Sequence, residues 1–482
     1  MPAPLTRDLH ALESETFDLL VIGGGIYGLT VACDAAQRGL RVALVERSDF
    51  GSGTSFNHLR TIHGGLRYLQ TLDLARARES VRERRTLARI APWAVAPLPF
   101  VLPLYPSLMK GRLAMRAGFL LDAVVASDKN EGVEATHRLP VGRVLSIAEA
   151  RERFPEVRPL PITGAAFWFD YVTTEADRLT LAWALEAAAN GAILANYVEA
   201  GTLPQGSEGR ATVKDRVTDA SFTIRARAVV NATGGAINRL LDPLGHRVDL
   251  PLLQAVNLVT RLAAPSAAIG GRSAADRNLF VVPWRGRALF GTWESPGLCQ
   301  PDDLTVGGPH LDAFISELNQ AFPTMPLTRD DVTLVHRGVV PARVVDGSAT
   351  LDGRELVFEH RTGGGIPVIS VAGTKYTTAR AVAERIVTRV FGLLGRPAPP
   401  SVSAQRPLPH VDLIGDDLLR HAASHEMVVT LADAVLRRTP LGALGRPDDE
   451  TMAAAATVVG DALGWSTGRR LIEIDALNRF YS

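Results

Sequence analysis

The sequence predicts an α/β protein with α+β character in its middle section, and three observations predict it. "FDLLVI", 17–22, is an apolar run that reads as a buried strand. It leads into "GGGIYG", a small-residue helix to about 38, and "RVALVE", 41–46, a second strand ending in an acid. Between 250 and 345 the runs "AVNLVTRL", "LFVVPW", "ALFGTW" and "TLVHRGVV" are short and β-like, which suits a mixed or antiparallel sheet. After a proline-rich break, "GRPAPPSVSAQRPLP" near 395–409, Val428, Leu431 and Val435 recur at helical spacing.

The remaining elements follow in order. From 72 to 90 the pattern is helical, with Leu74, Ala77, Val81 and Ala88 on one face and the intervening arginines on a solvated face. Residues 91–162 are rich in proline and aromatics and read as irregular. A helix at about 176–190 precedes a strand in "AILANYV". "RARAVVNATGG", 225–235, is a strand running into a glycine turn, and "PVISVAGTKYTTARAVAERIV", 367–387, is strand, glycine turn, helix. There is no internal repeat.

Composition narrows the function classes. The 482 residues allow two or three domains, and 46% hydrophobic with 21% charged residues is ordinary for a chain with a large core. A net charge of +1 gives no electrostatic case for nucleic acid. Cys33 and Cys299 alone make neither a disulfide framework nor a metal site. The first sixteen residues lack an apolar signal core and read as a flexible N-terminus. No apolar run reaches membrane-spanning length, so the expected location is cytoplasmic, with surface attachment to the membrane as the alternative.

Gly23, Gly25 and Gly28 form G-x-G-x-x-G between strand and helix. The first permits the tight turn, the second lets backbone approach a pyrophosphate, and the third lets helix and strand pack closely. The helix N-terminus offers free N–H groups and the positive end of its dipole. Glu46, eighteen residues past Gly28, is placed to accept hydrogen bonds from ribose hydroxyls and to repel a 2′-phosphate, which disfavours NADP. The later segments "VVNATGG" and "SVAGTKYTT" favour FAD over NAD. A glycine turn at 372–377 can aim N–H groups at the flavin edge where negative charge develops on reduction.

With "DLLVIGGGIYG", "ALVERSDFGSGTS", "IHGGLRYL", "VVNATGG", "FVVPW", "AGTKYTT" and "HEMVVTLADAVLRRTPLG" with "LGW", the chain resembles the FAD-dependent glycerol-3-phosphate dehydrogenases over nearly its whole length. These belong to the D-amino-acid-oxidase-like flavoproteins. The resemblance implies a Rossmann-like FAD-binding domain (17–90, 163–240, 350–395), a substrate domain (91–162, 241–349) and a C-terminal helical cap (405–482). It implies FAD as cofactor, oxidation of a secondary alcohol by hydride transfer to flavin N5, and a quinone or oxygen as final acceptor. Gly23, Gly25, Gly28, Glu46 and Arg47 would hold the ADP half, with Thr54 and Ser55 near pyrophosphate and flavin. Val198 would offer backbone contacts to adenine, and Ala232, Thr233, Gly234, Gly373, Thr374, Lys375 and Thr377 would line the cofactor. His63, Arg67, Tyr68 and Lys375 correspond to residues near substrate and flavin. His63 is either the general base or a residue orienting the flavin; Arg67 either binds a substrate anion or makes a structural salt bridge.

Four departures from the family pattern bear on the substrate. Gly-Val-Arg-Pro becomes Gly338-Val339-Val340-Pro341, and Lys-Gly-Ser-His becomes Gln254-Ala255-Val256-Asn257. Thr-Thr-Asp becomes Thr292-Trp293-Glu294, and a serine-rich approach to the "IHGG" loop becomes Phe56-Asn57-His58-Leu59. Losing two charge-assisted contacts costs about two to four decades of affinity unless something replaces them. Arg60, Arg337 and Arg343 are the replacement candidates, with Asn257 and Trp293 as further substrate contacts. The resemblance implies glycerol 3-phosphate as substrate, and these departures shift weight toward the alternative, another polyol, phosphate ester or amino substrate. A non-catalytic flavin-bound scaffold is a third reading, opposed by the retained His63, Arg67, Tyr68 and Lys375. The stretch 106–121, with Met109, Leu113, Ala117 and Leu120 on one face beside Lys110, Arg112 and Arg116, reads as an interfacial helix at a membrane. Its other readings are packing in the substrate domain or a homodimer contact.

Overall fold

The computed structural model describes residues 4–69, 72–106, 111–203, 209–273, 277–360 and 365–481, without the side chains of Arg67 and Leu69. Among these residues the strands form two sheets, of eight and ten strands. In the first, Val368–Ala372, Ser221–Asn231, Thr16–Ile22, Val42–Val45 and Ile193–Ala195 lie side by side and parallel. Val368–Ala372 and Val42–Val45 are largely apolar and fully buried, and Ser221–Asn231 becomes so over its last four residues, because a parallel strand covered on both faces has no wet side. Helix Ile26–Gln37 packs between Ala176–Ala189 and Ala379–Leu393. Ala32, Cys33, Ala35 and Ala36 are buried in it, so small side chains let three helices approach on one face of the sheet.

The second sheet runs Ser348–Leu351, Val332–Val345, Leu252–Ala263, Arg287–Glu294, Asn278–Trp284, Ala268–Arg272, Val95–Leu104, Gly164–Thr173, Thr61–Ile62. Among the described residues its neighbouring strands are antiparallel except Ala268–Arg272 beside Val95–Leu104. Helix Gly308–Ala321, absent from the sequence reading, covers this sheet by setting Phe314, Ile315 and Leu318 on Val256, Leu258 and Phe290. The C-terminal helices Gly415–His425, Asp449–Leu463 and Thr467–Tyr481 close around Leu419, Leu431, Val435, Val459 and Leu477. Val428 is buried there but lies outside the helices.

Several expectations are corrected. The 91–162 stretch is not irregular, since Val95–Leu104 is a ten-residue strand despite Pro97, Pro99 and Pro103. Ala94 O accepts from Thr174 N–H and Leu104 O accepts from Thr163 N–H, so even-numbered residues bond toward Gly164–Thr173. The prolines fall at odd positions, where no donor toward that neighbour is lost. The N-terminus is anchored: Leu9–Ser14 is a helix whose Leu12 is fully buried beside Phe17 and Leu20. Helix Leu74–Ile90 does not keep all its charges in water. Glu83 and Arg84 are buried, Glu83 paired with Arg380 at 2.7 Å and Arg84 with Asp170, while Leu74 is exposed. Among the described residues no helix is long and apolar enough to cross a membrane.

Candidate active site

Three glycine turns leave the carboxyl ends of three adjacent parallel strands, where open α/β sheets bind ligands. In the first, Gly23 has φ +106°, and a Cβ there would stand 2.5 Å from Ala232 O. A Cβ on Gly28 would lie 1.9 Å from Gly23 O, so the helix meets the turn with no room for a side chain. Ser55 Oγ accepts from Ile26 N–H at 2.9 Å at the head of the helix. Glu46 accepts from Gly24 N–H at 2.6 Å and from Ser48 N–H at 2.9 Å. Burial pushes the Glu46 carboxyl up against the pull of those donors. Its oxygens keep lone pairs for further donors such as ribose hydroxyls.

The second turn follows Ser221–Asn231. Ala232 N–H donates to Ile22 O at 2.8 Å, Thr233 Oγ1 donates to Asn231 Oδ1 at 2.7 Å, and Gly234 has φ +62°. In the third, a Cβ on Gly373 would be 2.2 Å from the Tyr27 hydroxyl, which donates to Lys375 O at 3.2 Å. Thr374 Oγ1 donates to Asp352 O at 3.0 Å, and Thr377 is buried. These glycine turns and the helix head fit the pyrophosphate of a dinucleotide such as FAD. Two cofactor candidates are otherwise engaged. Val198 N–H donates to Glu46 O at 2.8 Å, which leaves its carbonyl for an adenine. Thr54 Oγ1 donates to Val339 O at 2.9 Å and accepts from Val339 N–H at 3.2 Å, tying this loop to the second sheet. Arg47 sits at the surface, 3.4 Å from Asp302.

His63 follows Thr61–Ile62 and has a 53% exposed side chain. Its Nε2 is 2.7 Å from Thr61 Oγ1, and its Nδ1 is 3.5 Å from Asp170 Oδ2. Asp170 is buried; burial raises its carboxyl, and Arg84 with His63 outweighs that and holds it below the ordinary range. Lys375 is half-buried, and its Nζ lies 4.0 Å over the Tyr68 ring, a cation on an aromatic face. The Arg67 side chain lies outside the described residues.

Other expected substrate contacts point elsewhere. Arg60 has no exposed side-chain surface. Its guanidinium sits 3.5 Å from Asp177 and from His336 Nε2, and 3.4 Å from His58 Nε2, stacked over Phe56 and Trp284. Burial first, and Arg60 second, drive both imidazoles well below their usual pKa. Trp293 is buried on the other side of its sheet, stacked with Phe314 at 5.9 Å. Adjacent strand residues face opposite ways. Arg337 therefore lies on the face opposite Gly338 and Val340, and Arg343 is exposed where Val332–Val345 pairs with Ser348–Leu351. Gln254 donates to the Asp303 and Thr305 carbonyls. Asn257 shares the Val340 face, but its Oδ1 accepts from Thr292 Oγ1 at 2.7 Å. Position 340 belongs to an apolar patch with Leu253, Ala255 and Ala342. Sequence reasoning missed Asp170, Arg84 and Tyr27. The signal for Asp170 was present: one carboxylate inside the apolar strand "GAAFWFDYVT".

The family described as "FAD dependent oxidoreductase" matches residues 18–387. A curated "Glycerol-3-phosphate dehydrogenase" of Synechocystis sp. is 32% identical over 450 residues, covering 87% of this chain and 80% of the relative. A "Probable glycerol-3-phosphate dehydrogenase, mitochondrial" of Caenorhabditis elegans is 33% identical over 81% of this chain, which spans 55% of that relative's length. Among solved structures, the glycerol-3-phosphate dehydrogenase of Bacillus halodurans complexed with FAD superposes with a TM-score of 0.74 at 23% identity, over 98% of this chain and 96% of that one.

Proposed function

We propose, for a chain that belongs to the FAD dependent oxidoreductase family and within it to the glycerol-3-phosphate dehydrogenases, the oxidation of glycerol 3-phosphate to dihydroxyacetone phosphate. The observation that carries the reading is an exposed imidazole, His63, fixed on both ring nitrogens in a chain that also carries a dinucleotide cradle. FAD, when bound, supplies the two-electron acceptor for the hydride that leaves the carbinol carbon. His63 takes the hydroxyl proton at the same carbon, so the hydride would pass to the flavin and the O–H proton to the imidazole. Lys375, held over Tyr68, offers a positive charge for an anionic substrate, and Gly64 and Gly65 lack side chains where the Arg84 guanidinium and Ser80 pack against the turn. The C-terminal helices within 415–481 act as a cap, braced by a buried ionic cluster on Asp49. Anaerobic reduction of the bound flavin by glycerol 3-phosphate tests the assignment.

The apolar patch at Val340 favours a second reading, in which the same chemistry acts on a polyol or ester with less negative charge at its far end. For the electron acceptor, a membrane quinone suits helix Arg112–Val125. Leu113, Leu120 and Val124 are 79%, 73% and 73% exposed there, and Ala117 and Arg116 are exposed beside them. That stripe supports peripheral membrane contact. Oxygen is the acceptor, or a second copy of the chain the partner, if the stripe binds no lipid. Met109 and Lys110, expected in the same face, lie outside the described residues.

A further inference from the structure

We propose that Asp170 is a positioning residue that places the hydrogen of His63 on Nδ1, leaving Nε2 as the atom that receives the substrate's proton. This rests on the reading of His63 as the base. The arrangement comes from sheet register. Thr61 lies opposite Val172 and Ile62 opposite Tyr171, so the next residue, His63, falls opposite Asp170. Two residues 107 positions apart are thus brought together by an antiparallel pairing only two residues long.

The hydrogen-bond inventory of Asp170 fixes its state. Oδ1 accepts from Gly64 N–H at 2.8 Å and from the Arg84 guanidinium; Oδ2 accepts from Trp168 Nε1–H at 3.2 Å and faces His63 Nδ1 at 3.5 Å. Every other partner is a donor, which an ionised carboxylate satisfies and a protonated one does not. A carboxylate facing Nδ1 requires the ring hydrogen there. Nε2 then carries a lone pair, which the Thr61 hydroxyl occupies at 2.7 Å until a substrate hydroxyl replaces it. The Nδ1 contact is long, as such contacts often are before substrate binds.

Asp170→Asn makes a directional test. Asn has one carbonyl oxygen, and Gly64 N–H and Arg84 draw it to the Oδ1 position. The amide NH2 then faces His63 Nδ1 and forces that atom to accept, which moves the ring hydrogen to Nε2. Two-bond 1H–15N spectra of 15N-histidine-labelled, FAD-bound protein in alkaline buffer report the tautomer directly. The expected result is Nδ1–H in the parent and Nε2–H in D170N, with kcat down by about 10²- to 10⁴-fold. KM should change by less than about threefold, since substrate binding does not use the ring hydrogen. T61V, which removes only the Nε2 partner, should keep Nδ1–H. An Nε2–H ring in the parent overturns the proposal with no variant needed, so it stays testable if D170N fails to fold. An unchanged tautomer in D170N, or kcat within about threefold of the parent, overturns it too. Near-parental kcat in H63Q would instead sink the reading of His63 as base, separately from the tautomer result.

Discussion

Replacing Asp49 with Asn should loosen the nucleotide loop by unpairing the C-terminal segment from it. Asp49 is fully buried and accepts from Arg437 Nε at 2.6 Å, from Arg438 Nη1 and Nη2 at 2.8 and 2.7 Å, and from Asn196 Nδ2 at 3.0 Å. It follows Glu46 by three residues, and Gly51 N–H just beyond donates to Gly24 O in the first glycine turn. Burial alone would raise the Asp49 carboxyl, but the two arginines outweigh it and bring it down to about 2 from 3.8. At about 1.4 kcal/mol per pKa unit, that amounts to roughly 2 kcal/mol of native stability. Asn at 49 leaves Arg437 and Arg438 buried with less counter-charge, a change that costs about 3–5 kcal/mol when one partner of a buried pair is removed. The folded carboxyl titrates below the unfolded one. Its contribution is therefore full above about pH 4 and fades as pH falls toward 2. Urea unfolding at neutral pH, followed by tryptophan and flavin fluorescence together, should show D49N weaker by about 3 kcal/mol. FAD should also be released at lower urea. The gap between parent and D49N should narrow below pH 4. A D49N protein within about 0.5 kcal/mol of the parent, with FAD held equally, would refute the reasoning.

Other outcomes follow from single contacts. G28A puts a Cβ about where Gly23 O stands, at 1.9 Å, against backbone that cannot yield, so the purified protein should carry little or no FAD by absorbance. L120E places a charge in the exposed stripe of Arg112–Val125 and should reduce sedimentation with anionic vesicles severalfold while leaving flavin reduction by a soluble substrate unchanged. Equal sedimentation of parent and L120E would remove the membrane reading of that helix.

The parallel sheet and its first glycine turn were legible because their information is local. A buried parallel strand must be an apolar run, and a turn against a phosphate must lack side chains, so Thr16–Ile22 and Gly23–Gly28 announce themselves. The reactive half depends on pairing between distant segments. Asp170 meets His63 only through the register of Thr61–Ile62, and no spacing in the sequence encodes that. Arg84 read as solvated because its counter-charge, Asp170, arrives from another element. Arg60 looked like a free cation near the site, yet His58, His336 and Asp177 enclose it from three segments. By contrast, strand alternation alone distinguishes Arg337 from position 340, once the strand Val332–Val345 and its register are known. The proline strand Val95–Leu104 needed the knowledge of which edge each amide faces.

The central claim is that the bound flavin takes electrons from glycerol 3-phosphate. Anaerobic mixing of the yellow holoprotein with glycerol 3-phosphate, monitored by flavin absorbance and by dihydroxyacetone phosphate formed per flavin, tests it in one experiment. The account predicts rapid bleaching with one product molecule per flavin. A protein that stays yellow with glycerol 3-phosphate while another polyol or ester bleaches it would contradict the substrate assignment. One that stays yellow with every alcohol would contradict the reaction itself.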